Sequence, residues 1–522
     1  MDAQLSPLAK AVIAVFTAPK KNDSEQKIAV NRFVSEIASW YEKVRNAMDY
    51  RDDEVVLRAA IERILKRRLL LGGSGKTTAE PLVKELIWAR YFPSESIAES
   101  IIQKVEDIID VHLQLRELLL AEQHIKEATI QEWFVHLLSC ALARLLSPNI
   151  EKNAMSNFMY HVMKDSLVIK DDTEDTKNVQ VYLAVRRAFA KDDLAFLRYY
   201  LFGQIFGELT KETVHHIASN FSRGMEEIEY QLGYRLKEKI FLFVRRQTPV
   251  FYILEDILLK EKEKFIELVT NPEEFEKAVF AACEKRYKSI RKRVTTAIIR
   301  SVIFLIMTKV IVAYLVEGTY DRIIYGHIVW QTLALNTGIP PLLMIFVSLF
   351  IKTPGKDNST RIFEKIKTIL FEEQPRITQT LPLTITPPKN KGLLNTIFGF
   401  LWFLAFFVSF GLIIWLLTQL HFNIVSQGIF VFFIAVVSFL SYRINATAHM
   451  YSIDGKQMLL TPFIDFLIIP VVRVGMYLTE GISQVNVIIF VFDFLIEAPF
   501  KAIFNFFDQL FGYLHSKREE LG

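Results

Sequence analysis

Apolar residues dominate one long stretch in the carboxyl-terminal half of the chain, from Gly392 to Tyr442, which contains no Asp, Glu, Lys or Arg. A bilayer core of ~30 Å needs roughly 20 apolar residues for each helical crossing. The stretch divides into two such lengths, Leu393 to Leu420 and Ile424 to Tyr442, on either side of a short turn at 421–423. Backbone groups in lipid must bond within their own segment, so each half is expected to be a helix. The pattern predicts a transmembrane hairpin over 392–442.

A first membrane pair is predicted over 294–351, ahead of this hairpin. Residues 294–316 are apolar enough to cross a bilayer. We expect 317–326 to form a short external turn, after which 327–351 returns through the membrane. Two adjacent prolines interrupt the returning segment at 338–341, so this crossing is predicted to be kinked or discontinuous.

The last apolar stretches lie within 458–515 and are less regular, because charged residues recur along them. The tetrapeptide Asp-Phe-Leu-Ile occurs twice, at 465–468 and at 493–496, and a proline follows each copy. Apolar segments that are broken and carry polar residues are typical of re-entrant or interfacial helices. The pattern predicts a pair of broken or interfacial membrane helices.

The first half of the chain shows helical periodicity from Ser24 to about Arg293, with apolar residues three and four positions apart and no strand-like alternation. Residues 164–178 contain too little apolar side chain for a core. They predict a solvated linker between two helical subdomains, 1–165 and 179–293, or alternatively a surface loop within one domain. The fold class is therefore all-α: a polytopic integral membrane protein with a large N-terminal helical cytoplasmic region and a C-terminal helical membrane region.

Basic residues indicate the orientation of the predicted crossings. Lysine and arginine gather on the cytoplasmic side of membrane proteins, and both the polar loop 352–391 and the tail residues Lys517 and Arg518 are basic. We therefore expect both termini in the cytoplasm. A further basic cluster, which is also a candidate contact for lipid head groups of the bilayer, directly precedes the first crossing: Lys285, Arg286, Lys288, Arg291, Lys292 and Arg293.

Composition agrees with a membrane protein and excludes several classes of site. The apolar fraction is 51% and the net charge is only +4, so no nucleic-acid partner is expected. Cys140 and Cys283 have no CxxC partner and are predicted to be core residues, without a zinc site or a disulfide. We interpret the apolar run 11–18 as an amphipathic helix and not as a signal peptide. These features favour a bacterial inner membrane over an organelle.

A glycine-rich segment at 72–78 resembles a phosphate-binding loop only in part. Leu70 stands where a P-loop has its first glycine, and residues 55–71 predict an amphipathic helix in place of the buried strand. The pattern favours a turn in which Gly72 ends one helix and Thr77 with Glu80 forms a capping box for the next, with Pro81 in its first turn. Weak anion binding is the alternative, and its candidates are Gly72, Gly73, Gly75, Lys76 and Thr77.

Ionisable residues inside apolar segments are the other candidates, because such groups are costly in a membrane and often functional. Asp493 and Glu497 are four positions apart and share a helix face, so they could bind a cation or carry a proton. Lys309 and Arg300 lie on opposite faces of one helix, and Lys309 is expected to need a carboxylate partner. Asp465 and Arg473, in the predicted carboxyl-terminal helices, are the remaining candidates of this kind. The alternative for the carboxylates is that these helices lie in the membrane interface with the carboxylates facing water.

Function follows less directly from these patterns. We see no GxSxG elbow, metal-ligand cluster or cofactor motif, so an enzyme is not expected. The leading hypothesis is a membrane-anchored interaction or scaffold protein whose cytoplasmic helices bind a protein partner or self-associate. The first alternative is a transporter or channel that uses Lys309 and the carboxylates, and the second is regulation by a nucleotide or anion at residues 72–78.

Overall fold

The computed structural model describes most of the chain, namely residues 5–19, 27–28, 36, 53–69, 72–122, 125–328, 330–373, 375, 381–384, 392–453 and 461–483. These residues are almost entirely helical, with one short two-stranded sheet, which confirms the all-α class. They form two compact units. The N-terminal unit comprises 5–245 with 369–384, and the C-terminal unit comprises 246–368 with 392–483.

The N-terminal unit is a helical bundle, and its first helix is the one predicted near the amino terminus. Its elements are α1 Pro7–Thr17, α2 Asp53–Leu69, α3 Gly75–Trp88, α4 Ser100–Glu122, α5 Glu127–Leu146, α6 Ile150–Met163, β1 Leu167–Ile169, α7 Glu174–Val185, α8 Leu194–Phe206, α9 Val214–Leu232 and β2 Leu381–Leu383. A π-helical turn, Arg186–Ala190, follows α7. The two strands pair in parallel, with Leu167 opposite Leu381.

Two hydrophobic cores hold this unit together. One is formed by α2, α3, α4 and α5 around residues such as Ile61, Leu82 and Ile109. The other joins α5, α8 and α9, where Trp133 meets Phe221 edge to face at 5.5 Å. Cys140 lies in the first core and Cys283 in the C-terminal unit; both are buried, as predicted.

The predicted linker 164–178 lies inside the N-terminal unit. Its residues form a 3₁₀ turn, β1 and the first turn of α7, whose N-cap Thr173 accepts a hydrogen bond from the backbone N–H of Thr176. A division of the helical region at this point stays a prediction.

The C-terminal unit contains the long apolar helices. Its elements are α10 Lys237–Glu261, which begins in the N-terminal unit, α11 Phe265–Thr270, α12 Pro272–Val312, α13 Gly318–Tyr325, α14 Trp330–Ser348, α15 Lys356–Phe371, which ends in the N-terminal unit, α16 Gly392–Gln419, α17 Ile424–Ala448 and α18 Thr461–Ser483. A π-helical turn, Ala313–Glu317, joins α12 to α13 without a break.

Four helices of the described chain are long and apolar enough to cross a membrane, as predicted. They lie within Pro272–Ile324, Trp330–Ser348, Thr396–Gln419 and Ile424–Ala448. The tight turn between the last two also agrees with the prediction: Asn423 is the N-cap of α17 and accepts a hydrogen bond from the Ser426 N–H at 2.7 Å.

Two details of the first pair were predicted wrongly. Residues 317–325 are helical and do not form a turn, because the helix continues until Gly326, whose φ of 74° ends it. The segment at 338–341 was predicted to be kinked or discontinuous, and the second alternative is wrong, since α14 runs through both prolines. Each proline removes only one backbone hydrogen bond, and packing against the neighbouring helices α12 and α17 compensates for this loss.

Only part of the region predicted as broken or interfacial helices is described. α18 is continuous through Pro470 and packs closely on α17, where a Cβ added to Gly475 would lie 2.0 Å from the Ala435 carbonyl oxygen. Contact this close is typical of small residues at helix interfaces in membrane proteins. The second copy of the repeat, at 493–496, lies outside the described residues.

Candidate functional site: a buried polar cluster in the C-terminal unit

Lys309 lies at the centre of a polar cluster inside the apolar bundle. Its side chain is fully buried, and its Nζ donates a hydrogen bond to Asn336 Oδ1 at 2.9 Å. The Nζ is also 3.4 Å from Glu317 Oε1, which supplies the carboxylate partner expected from the sequence. The Phe433 ring covers the ammonium at 4.5 Å, so aromatic carbon closes the remaining side.

The π-helical turn brings Glu317 onto the face of Lys309. In a regular α-helix two residues eight positions apart are separated by about 80° around the axis. A single π-helical turn accommodates one extra residue, so the pair behaves as if it were seven apart and nearly aligned. Glu317 is consequently buried, with 1% of its surface exposed.

Asn336 and Ser426 complete the set of partners around the carboxylate. Asn336 Nδ2 donates to Glu317 Oε2 at 2.5 Å, and the Ser426 hydroxyl donates to the same oxygen at 3.3 Å. Asn336 is itself fully buried, four residues before Pro340. The cluster thus connects α12, the π-helical turn, α14 and α17, and each of its charges has a neutral or opposite partner.

A second buried carboxylate continues this polar line towards the end of the helix. Asp321 follows Glu317 by four residues, is 3% exposed, and accepts a hydrogen bond from Asn423 Nδ2 at 3.1 Å. From Lys309 to Asp321 the helix axis rises by about 18 Å. The ionisable groups therefore form a row from inside the apolar bundle to the end near Gly326 and Asn423.

Side chains of the types found in this row are able to bind and release protons. Lysine and glutamate in contact can exchange a proton without changing the net charge of the pair, and burial makes their charged forms sensitive to the surroundings. The Lys309 ammonium occupies the position next to the carboxylate and the amide oxygen that a metal cation would need. No group of three or more His, Cys, Asp or Glu residues suited to a metal ion occurs in the described part of the chain.

Arg473 and Arg300, the other charged candidates whose side chains the structure describes, do not join this cluster. Arg473 is exposed on α18, where its guanidinium lies over Trp402 at 5.3 Å and Tyr477 at 6.0 Å. Asp465 belongs to α18, but its side chain lies outside the description, as do Asp493 and Glu497 entirely. Arg300 is exposed, on the opposite face from Lys309, as predicted.

The glycine-rich segment forms the start of a helix, and the first backbone N–H of that helix is already hydrogen-bonded to a side chain. Gly75 begins α3, and its N–H donates to Asp110 Oδ1 at 2.8 Å. The capping box consists of Ser74 and Thr77, so the predicted box of Thr77 with Glu80 is wrong: the helix begins one turn earlier than expected, and Pro81 lies beyond the first turn.

The basic residues before this segment are also engaged, so the geometry does not favour an anion site there. Arg67 contacts Glu85 at 2.6 Å, and Lys66 contacts Glu62 at 2.6 Å. The helix before the loop is α2, as the sequence predicted, and not the strand of a P-loop. Lys76 is exposed at the start of α3.

The basic cluster at 285–293 divides into one paired residue and five exposed ones. Arg286 binds both carboxylate oxygens of Asp256, at 2.5 and 2.6 Å, and donates to the Tyr451 hydroxyl at 2.9 Å. It therefore contributes to packing between α10 and α12. The residues that stay available to a lipid surface are Lys285, Lys288, Arg291, Lys292 and Arg293.

One ionic cluster, around Arg186, lies inside the N-terminal unit. Arg186 is buried among Asp192, Asn153 and Tyr200, and its Nη1 donates to Asn153 Oδ1 at 2.8 Å. Burial raises the pKa of the Cys140 thiol well above its usual value, which opposes a role as a nucleophile. These groups support helix packing and expose no reactive atom.

Sequence reasoning found Lys309 but missed Glu317, Asn336 and Asp321. Glu317 and Asp321 were assigned to an external turn, and the π-helical turn that aligns Glu317 leaves no recognisable pattern. A usable signal was chemical: a buried lysine needs a carboxylate, and Glu317 is the nearest one to Lys309 along the chain.

The chain was compared with family models, curated proteins and solved structures. No family model, curated protein or solved structure matches it.

Proposed function

We propose that this chain is a polytopic membrane protein that acts as a proton-coupled transporter, with Lys309, Glu317 and Asn336 as its proton site. The observation that carries the proposal is a fully buried lysine–glutamate pair in an apolar helix of membrane-spanning length. A charged pair costs free energy in such a place, and intramembrane charges commonly mark ion pathways. Asp321 would link the pair to one face of the membrane.

The proton is the ion that this site accommodates best. Sodium or potassium would have to displace the Lys309 ammonium from Glu317 and would then have few oxygen ligands. A proton needs only a small change in the hydrogen bonds among the four side chains of the cluster, which are those of Lys309, Glu317, Asn336 and Ser426. Protonation of Glu317 would release Lys309 from its partner and alter the packing of α12 against α14, which is how proton binding could be coupled to transport.

The experiment uses the full chain in liposomes adsorbed on a solid-supported membrane. A rapid pH step drives protons to any buried site that equilibrates with one side, and the resulting charge movement is recorded as a transient current. We expect Glu317→Gln to reduce this current by about tenfold or more, to the level of empty liposomes. Arg300→Gln is the matched control, because it removes a charge from the same helix on its exposed face and should retain the current.

A wild-type current no larger than that of empty liposomes would overturn the proposal, as would a current unaffected by Glu317→Gln. Protein content and orientation in the liposomes are measured for every variant, so that a small current is not caused by poor insertion.

The proposed orientation has both termini in the cytoplasm, in a bacterial inner membrane. Its support is the position of the five exposed basic residues of 285–293 on α12 directly before its apolar segment, together with exposed Lys352 and Lys356 after α14. The turn at 421–423 has no Lys or Arg and would face the outside.

A second candidate function is the interaction or scaffold role of the N-terminal unit. One observation favours it: a groove at the end of α8 and along α9 contains exposed Ile205 and Tyr230 beside Arg223 and Glu226. Apolar side chains exposed between charges are typical of protein-binding surfaces. A photocrosslinking amino acid at position 230 in native cells should give a discrete adduct, whereas position 150, equally exposed, should not. Equal crosslinking at both positions would remove this candidate.

A further inference from the structure

A large cavity lies between α14, α16, α17 and α18 of the C-terminal unit. Its volume is about 800 Å³, within the range that holds a ligand of substantial size. Aliphatic side chains form most of its wall, among them Leu343, Val347, Leu412, Ile434 and Val471. An interior of this kind favours hydrocarbon over water.

Four polar side chains of α17 interrupt this apolar wall, and one of them, Ser441, already donates to the Met344 sulfur. Ser438, Tyr442 and Asn445 all line the cavity, and their spacing of four and three residues places them on one face of α17. None of the three side chains has a hydrogen-bond partner among the residues that the structure describes. Their donors and acceptors are thus available to a ligand.

Two of these polar groups, Tyr442 and Asn445, lie towards one end of the cavity. The contacts of Asn336 with Ser426 and of Met344 with Ser441 show that α14 and α17 run in the same direction. The cavity therefore extends towards the carboxyl ends of both helices, away from the Lys309 cluster. At that end the lining residue Ile351 is followed directly by Lys352, which is exposed.

We propose that this cavity binds one acyl chain, with the oxygen-bearing head of the same molecule hydrogen-bonded to Ser438, Tyr442 and Asn445. The apolar wall accounts for the chain, the polar face of α17 for carbonyl, ester or carboxylate oxygens, and Lys352 favours a negatively charged head. A free fatty acid and an anionic phospholipid share this chemistry. The inference does not depend on proton coupling at Glu317.

The test measures binding to the full chain purified in detergent. Tritiated palmitate is the probe for a free acid, and phosphatidylglycerol from nanodiscs, counted by mass spectrometry after extraction and washing, is the probe for a phospholipid. We expect about one molecule of one of these ligands per chain. Ser438→Phe and Val347→Phe each fill the cavity from a different helix and should weaken binding about tenfold or more. Asn445→Leu, which removes only a polar group, should weaken it about three- to tenfold.

Leu416→Phe is the matched control, because Leu416 is exposed on α16 and does not line the cavity. Saturable palmitate binding that is lost in both filling variants assigns the site to free acids, and retained phosphatidylglycerol that is lost in both assigns it to bilayer lipid. The proposal is overturned if the wild type binds neither ligand. It is also overturned if neither filling variant binds less ligand than the wild type does. Monodisperse elution of each variant shows that a loss of binding is not a loss of fold.

Discussion

Lys309 and Glu317 are eight residues apart on one continuous helical segment, yet Nζ of the first lies 3.4 Å from Oε1 of the second. A regular α-helix would separate them by roughly 80°, and the π-helical turn Ala313–Glu317 removes that separation. Irregular turns of this type occur frequently at functional sites, because they turn one side chain inward without ending the helix.

Replacing only one member of this pair should destabilise the protein more than replacing both. Lys309→Met leaves the Glu317 carboxylate buried without its cation, which we expect to cost about 3–5 kcal/mol. The double variant Lys309→Met with Glu317→Gln should recover most of this loss, because no uncompensated charge remains. Thermal unfolding of the full chain in nanodiscs measures the difference.

Arg300→Met serves as the control for this comparison and should change the unfolding temperature little, because Arg300 is exposed. Equal losses in the single and double variants would contradict the view that the two charges compensate each other.

Gly475 should tolerate no side chain. Even the Cβ of alanine would lie 2.0 Å from the Ala435 carbonyl oxygen and 2.9 Å from Phe439 Cβ, so Gly475→Ala must push α18 away from α17. Overpacking of this kind costs about 1–3 kcal/mol or more. Limited proteolysis should then cut within 461–483 faster than in the wild type.

Gly411→Ala is the corresponding control on α16, since nothing lies within 4 Å of a Cβ added there. It should leave the proteolysis rate unchanged or slightly reduced. If Gly475→Ala were cut no faster than this control, the close packing of α17 and α18 would be disproved.

His112 should make the N-terminal unit less stable in mild acid. Burial lowers the pKa of this histidine to about 4, and its Nδ1 lies 2.8 Å from the Ile108 carbonyl oxygen. Since the unfolded chain takes up a proton near pH 6.5, stability is fully present above that pH and is lost as pH falls from 6.5 towards 4. At pH 5 the loss should be about 2 kcal/mol.

Pulse proteolysis in urea at pH 7 and at pH 5 measures this change in the full chain. His112→Leu should reduce the difference between the two pH values, whereas His215→Leu, at an exposed position, should not. A pH dependence that is the same in wild type and His112→Leu would show that other groups cause it.

The proposed orientation predicts opposite labelling at two exposed positions. Cys140 and Cys283 are buried, so the native chain should react little with a membrane-impermeant maleimide. Lys292→Cys should react only in inverted vesicles, and His421→Cys only from the outer side of intact cells. Labelling of both variants from the same side would exclude this topology.

The sequence by itself determined the parts that depend on composition and period. A run of about 20 apolar residues favours a helix of membrane-spanning length whatever surrounds it. The helices on either side of 421–423 and the four candidate crossings could therefore be predicted. The spacing of apolar residues three and four positions apart likewise indicated the all-α class and helices such as α2, which precedes Gly72. The partner of Lys309 could be anticipated in kind, because a buried ammonium needs a carboxylate.

Only the tertiary structure decided which groups meet. The π-helical turn at 313–317 and the helical continuation to Tyr325 depend on packing against α14 and α17, and no local propensity encodes them. Glu317, Asn336 and Ser426 come from three separate helical segments, so their convergence on Lys309 is a long-range property. The same reason applies to the cavity beside Ser438 and to the hydrogen bond between Asp110 and the Gly75 N–H at the start of α3. Contacts between distant segments are set by the packing of whole helices.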